Sequence, residues 1–151
     1  MDKKQINKLA TLLGVPVWLV KESLGVPFEK CTVNSLNKAI LALEDADIDS
    51  DEERAAFIRL EELILENLEK ASAIDTLREL HAISHKFMRG SEIERKLLVA
   101  WDDKSLELLE KTNNIDRLIE ICKNSPRFGK ARKEAIRKIT KKNFESLHNS
   151  E

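Results

Sequence analysis

The sequence predicts an all-α fold, in which an N-terminal helical hairpin precedes three tandem helix-turn-helix hairpins. Only four glycines, three prolines and no tyrosine occur among the 151 residues, and a sandwich or barrel would need more turns and more β-forming residues. Apolar residues recur at spacings of three and four, as on one face of a helix. The chain also repeats itself with a period near 41 residues, and its 42% hydrophobic content is enough for a core.

The first element is residues 1–30, and within it residues 5–24 have the pattern of a helix-turn-helix. Gly14 supplies the tight turn between two helices, and Val20 anchors the second helix. One interpretation is DNA recognition by the start of the second helix. However, the Pro-Val-Trp stretch at 16–18 and the single Lys21 offer almost no hydrogen-bond donors to bases or phosphates. The other interpretation is a hairpin that caps the following repeats, with the tryptophan covering their first apolar face.

An internal repeat organises the rest of the chain into copies at 33–71, 72–112 and 113–148, followed by a tail at 149–151. A shift of 41 residues gives 13 identities over the 35 positions 53–87, where unrelated sequences would give roughly two or three. The third copy is shorter by two or three residues around Gly129. The clearest matches place Glu53-Arg54 on Glu94-Arg95, Leu68-Glu69-Lys70 on Leu109-Glu110-Lys111, Ile74-Asp75 on Ile115-Asp116, Ser84 on Ser125 and Phe87 on Phe128.

In period and in the hairpin form of each copy, residues 33–148 resemble the HEAT and armadillo superfamily. The resemblance implies a short right-handed α-solenoid, whose grooves present extended surfaces to other proteins. Three copies are close to the minimum for a stable array, so a compact helical bundle is the alternative architecture. In both cases we expect one domain over residues 1–151.

Each copy is expected to contain two helices that bury one apolar face. Serine before a helix, with an acidic residue three positions later, favours a capped start. This spacing occurs at Ser50–Glu53 and Ser91–Glu94, and Ser72–Asp75 resembles it. The residues expected to be buried are Phe57, Leu60, Ile64 and Leu68 in the first copy, Ile74, Leu77, Leu80, His81, Ile83, Leu97, Leu98, Trp101, Leu108 and Leu109 in the second, and Ile136, Ile139, Phe144 and Leu147 in the third.

Motifs for chemistry are weak, and we expect no catalytic residue, metal or cofactor. The run from Asp45 to Asp51 begins like an EF-hand calcium loop, but Ser50 stands where glycine is needed and Ala56 where a bidentate glutamate should close the site. His81 and His85 have a spacing that can chelate zinc, without an evident third ligand. Nucleophile-elbow, phosphate-loop and dinucleotide motifs are missing, so we expect the protein not to be an enzyme.

The cysteine content and the N-terminus predict a cytoplasmic protein without a membrane segment. Cys31 and Cys122 are not in a Cys-x-x-Cys context, do not form a disulfide framework and are typical of a reducing compartment. We interpret both as inert packing residues. No apolar run approaches the length of a membrane span, and the first residues lack the apolar stretch of a signal peptide.

Charge is distributed unevenly, although the whole chain carries a net charge of only −1. Residues 44–69 contain eleven acidic and two basic side chains, and residues 123–142 contain nine basic side chains and one acidic. Such asymmetry indicates an acidic partner. The candidate acidic surface consists of Asp45, Asp47, Asp49, Asp51 and Glu52; the candidate basic surface consists of Arg127, Lys130, Arg132, Lys133, Arg137, Lys138, Lys141 and Lys142.

Four interpretations of the basic end stay open on the sequence. The first is that the basic end binds an acidic protein, and the second is that it binds nucleic-acid phosphates. The third is that it meets the acidic end of another copy in head-to-tail association, and the fourth is that it is simply a solvated final helix. Phe128 is the only aromatic residue in the basic stretch, and single-strand binding uses several stacking side chains. We therefore expect a non-catalytic protein-interaction or scaffold module, with nucleic-acid association through the basic C-terminal hairpin as the alternative.

Overall fold

The computed structural model describes the backbone of residues 1–149 and the side chains of residues 1–143. Within this range the chain is all-helical, as the sequence predicts, and has eight helices and no strand. The helices are α1 Lys3–Leu13, α2 Val17–Ser23, α3 Leu36–Asp45, α4 Asp51–Lys70, α5 Ile74–Phe87, α6 Glu92–Glu110, α7 Ile115–Lys123 and α8 Lys130–Asn149.

The chain divides into two compact units, Met1–Glu66 and Asn67–Glu151. The boundary lies near the end of α4. The single domain expected from the sequence stays a prediction.

The first unit begins with the expected pair of short helices. The side chain of Asp2 accepts the N–H of Gln5, and the side chain of Gln5 accepts the N–H of Asp2, both at 2.9 Å. This is a complete capping box. Gly14 ends α1 with φ of 67°, the left-handed conformation that its lack of a Cβ favours. The hairpin is closed by a small core of Ile6, Ala10 and Val20.

Helix α2 is tied to α4 by charged side chains. Lys21 pairs with Asp51 at 2.5 Å, and the guanidinium of Arg54 pairs with Glu22 at 3.1 Å. The same guanidinium lies 4.8 Å above the ring of Trp18. The tryptophan and the lysine that a DNA-reading helix would present are therefore engaged inside the first unit, which favours a structural role for the hairpin.

In the second unit, α5 packs against α6, α7 packs against α8, and α6 also contacts both α7 and α8. One core cluster joins the last three of these helices. Small side chains on the inner face of α8 bring its backbone close to its neighbours, since alanine fills little space. The cluster consists of Leu109 on α6, Leu118 and Ile121 on α7, and Ala131 and Ala135 on α8.

The two predicted Ser-x-x-Glu starts adopt the same local structure. Ser50 and Ser91 each accept the N–H of the glutamate three residues later, at 3.1 and 3.2 Å. Each glutamate carboxylate accepts the N–H of the residue before the serine, at 3.0 Å in both turns. That residue is Asp49 in one turn and Gly90 in the other, and both are left-handed, with φ of 62° and 78°. The predicted caps are confirmed, with the carboxylate bond one residue earlier than in a standard capping box.

Helix positions follow the period found in the sequence. Helices α4 and α6 begin at residues 51 and 92, and α5 and α7 at 74 and 115, so both starts are 41 residues apart. Ser84 and Ser125, matched by the repeat, are both buried and donate to the carbonyl three residues earlier at 2.8 Å. The relationship to the HEAT and armadillo superfamily stays a prediction.

The expected cap at Ser72 is wrong. Helix α5 begins at Ile74, with Ala73 in the cap position and no side-chain hydrogen bond there. Ser72 lies one residue before the cap, so its hydroxyl is not placed over the first turn.

The expected core is confirmed for its central residues and wrong at two positions. Leu98 is 39% exposed and Ile136 is 54% exposed. Ala131 and Ala135 define the inward face of α8. Because an α-helix turns by about 100° per residue, Ile136 lies off that face. Phe144 and Leu147 lie outside the residues whose side chains are described. The expected residues found buried are Leu60, Ile64, Leu77, Leu80, Leu97 and Leu109; Phe57, Leu68, Ile74, His81, Ile83, Trp101, Leu108 and Ile139 are half-buried.

Candidate functional site

The basic residues of the last hairpin divide into two groups, and Arg132 belongs to the group that faces inward. Its guanidinium donates to the carbonyl oxygens of Cys122, Lys123 and Ser125 at 3.1, 3.2 and 3.0 Å. These carbonyls lie at and just beyond the end of α7, where the helix dipole is negative. Arg132 therefore clamps α7 to α8 and has little capacity left for a partner.

Lys138 also belongs to the inward group. Its Nζ donates to the carbonyl oxygen of Leu109 at 2.5 Å, in the last turn of α6. A cation at that end of a helix is stabilising. Lys142, one turn further along α8, is half-buried.

The start of α8 is held by a side chain from α6. The Asp102 carboxylate accepts the N–H groups of Lys130 and Ala131, at 2.9 and 3.0 Å. Gly129 allows this approach, because a Cβ at that position would overlap the same carboxylate. Asp102 was not identified from the sequence; the only signal for its role was the shortening of the third copy around Gly129.

The second group of basic residues points outward in a row. Lys130, Lys133, Arg137 and Lys141 follow one another at spacings of three, four and four residues, which keeps them on one side of a helix. All four are exposed, on the side of α8 opposite its buried alanines. Arg137 also makes an intrahelical pair with Glu134 at 3.0 Å. We call these four residues the cationic stripe.

Two large apolar side chains accompany the cationic stripe. Ile136 is 54% exposed within the stripe's length, and Phe128 is 88% exposed in the turn that precedes it. The guanidinium of Arg127 lies 5.5 Å from the centre of the Phe128 ring. The cationic stripe together with Arg127, Phe128 and Ile136 is called the α8 face.

The predicted acidic residues gather at the turn between α3 and α4. Four of them are exposed, namely Asp45, Asp47, Asp49 and Glu52. Asp51 is half-buried and paired with Lys21, so it belongs to the internal structure of the first unit. Ile48, in the middle of this segment, is 86% exposed. Residues 45–52 are called the acidic turn.

Both histidines of the predicted pair contact α6. Nδ1 of His85 lies 2.8 Å from the Glu94 carboxylate, and the ring of His81 lies 5.4 Å from that of Trp101. Burial lowers the pKa of His81, and the N–H of Gly90 is the main cause of the lowered pKa of Glu94. Among the described residues, no three His, Cys, Asp or Glu side chains converge as metal ligands.

The second unit also contains an open groove of about 350 Å³ beside α5, α6 and α7. Its charged groups pair within their own helices, Asp75 with Arg78 at 3.8 Å, Lys104 with Glu107 at 3.5 Å and Arg117 with Glu120 at 3.1 Å. The groove therefore offers mixed charges that already have partners, and the α8 face is the more distinctive surface.

Three further findings do not concern a particular surface. Cys31 and Cys122 are both free and half-buried. Among the described residues, every helix is too short or too polar to span a lipid bilayer. No protein-family model matches this chain, and comparisons with curated proteins and with solved structures find no match either.

Proposed function

We propose that this protein is a non-catalytic protein-interaction module and that the α8 face is its docking surface for an acidic partner. The observation that carries the proposal is a row of four outward cations on a helix whose own position is fixed by Asp102, Arg132 and Lys138. Because the backbone of α8 is already fixed, binding does not have to order the helix and only its side chains lose freedom, which favours affinity.

The apolar residues of the α8 face favour a protein partner over a phosphate backbone. An exposed phenylalanine with an arginine beside it, and an exposed isoleucine beside the stripe, match the composition of protein interfaces, where aromatic residues and arginine dominate the binding energy. Cations are sufficient to bind a phosphate backbone, so the exposed apolar residues would have no role there. Binding of single strands uses several aromatic side chains on which the bases stack. Of these two chemistries, the mixed surface fits a protein better.

The mechanism has two stages. The cationic stripe attracts and orients an acidic surface at long range, which raises the association rate and makes it depend on salt. Phe128 and Ile136 then lose their exposure in the complex, which slows dissociation. We also propose a cytoplasmic setting, supported by the two free thiols.

The proposal is tested with labelled probes and fluorescence anisotropy at low and physiological salt. The probes are a peptide that mixes glutamate and leucine, a random single strand and a random duplex. We expect the peptide to bind, and we expect Lys133→Glu with Arg137→Glu to abolish binding. Phe128→Ser with Ile136→Ser should weaken it at unchanged charge. Arg132 is left intact, because its substitution would disturb the fold.

A matched control reverses two exposed lysines of the other unit, Lys3→Glu with Lys8→Glu, and is expected to bind like the native chain. The proposal is overturned if the oligonucleotides bind more tightly than the peptide and Phe128→Ser with Ile136→Ser has no effect. That outcome would assign the stripe to nucleic-acid phosphates. It is also overturned if no probe binds at low salt.

A further inference from the structure

We infer that the partner docked on the α8 face is the acidic turn of a second copy of this chain. The inference rests on the proposed function and names the occupant of that docking surface. It combines three observations, namely matching charge, matching exposed apolar residues and a fixed shape on each side.

The charges of the two surfaces are complementary in sign and number. The stripe presents four outward cations, and the acidic turn presents the four exposed carboxylates of Asp45, Asp47, Asp49 and Glu52. Opposed charges of this kind steer association and fix its orientation. The net charge of the whole chain is −1, so repulsion between copies does not oppose their approach.

Each surface also carries one very exposed apolar side chain. Phe128 at 88% and Ile48 at 86% have the highest exposures among the large hydrophobic residues that the structure describes. A single exposed apolar residue is ordinary on a protein surface. Here, however, each stands beside charges of one sign, and the two signs are opposite. Contact between Phe128 and Ile48 would remove both from water while the charges pair around them.

The acidic turn has a defined shape, as the α8 face does. The carbonyl of Asp47 accepts both the N–H and the hydroxyl of Ser50, at 3.2 and 2.7 Å. Asp49 has a φ of 62°, uncommon for a residue with a side chain, and its N–H is bound by Glu53 at 3.0 Å. These bonds hold Ile48 and its flanking carboxylates in one arrangement before any partner arrives.

The two surfaces differ, so the contact is heterologous. A copy that has docked its acidic turn keeps its α8 face available, and the reverse is also true. Association therefore continues into a ring or an open chain of copies. Because the contact depends on exposed charges, it weakens as salt screens them.

The experiment is a charge exchange followed by sedimentation velocity. One variant makes the turn basic, with Asp45→Lys, Asp47→Lys and Glu52→Lys. The other makes the stripe acidic, with Lys133→Glu, Arg137→Glu and Lys141→Glu. We expect the native chain to associate with rising concentration at low salt, and each variant alone to be monomeric. An equimolar mixture of the variants should associate again, because the reversed turn of one complements the reversed stripe of the other and their two unaltered surfaces are complementary as well.

Two controls separate loss of contact from loss of fold. Circular dichroism melting shows whether each variant keeps the native helix content. Ile48→Ser with Phe128→Ser leaves charge unchanged and is expected to weaken association at least several-fold, since about 1 kcal/mol corresponds to roughly a fivefold change. Lys3→Glu with Lys4→Glu and Lys8→Glu changes the net charge as much as the stripe variant does and should associate like the native chain.

The inference is overturned if the native chain stays monomeric at low salt and high concentration, or if the mixture of folded variants fails to associate. The glutamate–leucine peptide tests the docking surface separately from the identity of its occupant. If the peptide binds the α8 face while the native chain stays monomeric, the proposed function survives and the second copy is the wrong occupant. If the peptide does not bind and the native chain stays monomeric, the proposed function and the second copy as its partner are both wrong.

Discussion

Helices α6 and α8 begin with different kinds of cap. At α6, the Ser91 hydroxyl and the Glu94 carboxylate bind N–H groups within four residues along the chain. At α8, the first N–H groups are bound by Asp102, which lies on another helix and 28 residues before Lys130. The first cap stabilises one helix start and forms locally. The second exists only when α6 and α8 are packed, so it stabilises their arrangement as well as a helix end.

The largest loss of stability is expected on substitution of Arg132. Like the Asp102 cap, this residue makes a contact between helices, since it lies on α8 and binds three carbonyl oxygens around the end of α7. Arg132→Met keeps much of the aliphatic stem and removes these charged hydrogen bonds. We expect the free energy of unfolding to fall by about 2 kcal/mol. Chemical denaturation measures this change. The control is Lys133→Met, at an exposed position of the same helix, and equal losses in the two variants would contradict the clamp.

A smaller effect is expected when the cap of α8 is removed. Asp102→Ala should lower the free energy of unfolding by about 1 to 2 kcal/mol, because two N–H groups lose their acceptor. The neighbouring variant Asp103→Ala, at an exposed residue, should change it by less than about 0.5 kcal/mol. Amide hydrogen exchange should show faster exchange at the start of α8 in the first variant. Unchanged protection there would exclude a capping role for Asp102.

Removal of a local cap should lower the free energy of unfolding less than removal of the Asp102 cap, and it should affect only the helix that it caps. Ser91→Ala is expected to lower the free energy of unfolding by about 1 kcal/mol, since it removes one cap bond. Ser50→Ala should lower it by at least as much, because the Ser50 hydroxyl also donates to the Asp47 carbonyl. Hydrogen exchange should increase at the start of α6 or α4 alone. If Ser91→Ala also loosened α8 as much as Asp102→Ala does, the distinction between the two kinds of cap would fail.

The smallest effect concerns pH. The pKa of Glu94 is lowered in the folded protein, chiefly by the Gly90 N–H, so its stabilisation is present above its ordinary pKa of 4.5 and is lost as pH falls through the folded value. Burial lowers the pKa of His81 from 6.5, so the folded state resists its protonation and stability also falls below that pH. Both groups therefore destabilise the fold on acidification.

Thermal melting between about pH 8 and about pH 3 checks this expectation. Glu94→Gln should flatten the acid limb of the melting temperature, and His81→Gln should flatten the part just below pH 6.5. Glu92→Gln, in the same first turn, serves as the matched control. Acid limbs that stay parallel to the native curve in both test variants would show that these pKa shifts do not govern stability.

Sequence reasoning succeeded where the determinants are local. The all-α class, the turn at Gly14 and the caps at Ser50 and Ser91 depend on neighbouring residues, so spacing alone predicts them. The cap expected at Ser72 failed because the helix begins one residue later than its spacing suggests.

The candidate surface was predicted only in part, because which cations face outward depends on packing. The basic run was visible, but its inward members Arg132 and Lys138 were identified only by the carbonyls they bind on α7 and α6. Ile136 was expected in the core, since an apolar residue next to Ala135 gives no local sign of facing outward. Packing through alanines set the register of α8 and left this isoleucine beside the stripe.

The carboxylate of Asp102 has a consequence for the order of folding. Its two bonds to α8 span 28 and 29 residues, so the first turn of α8 completes only after α6 has formed and the connecting segment has closed on it. Such short loops close quickly, which keeps folding fast. We expect substitutions at Asp102 to speed unfolding more than they slow folding, because this contact forms late.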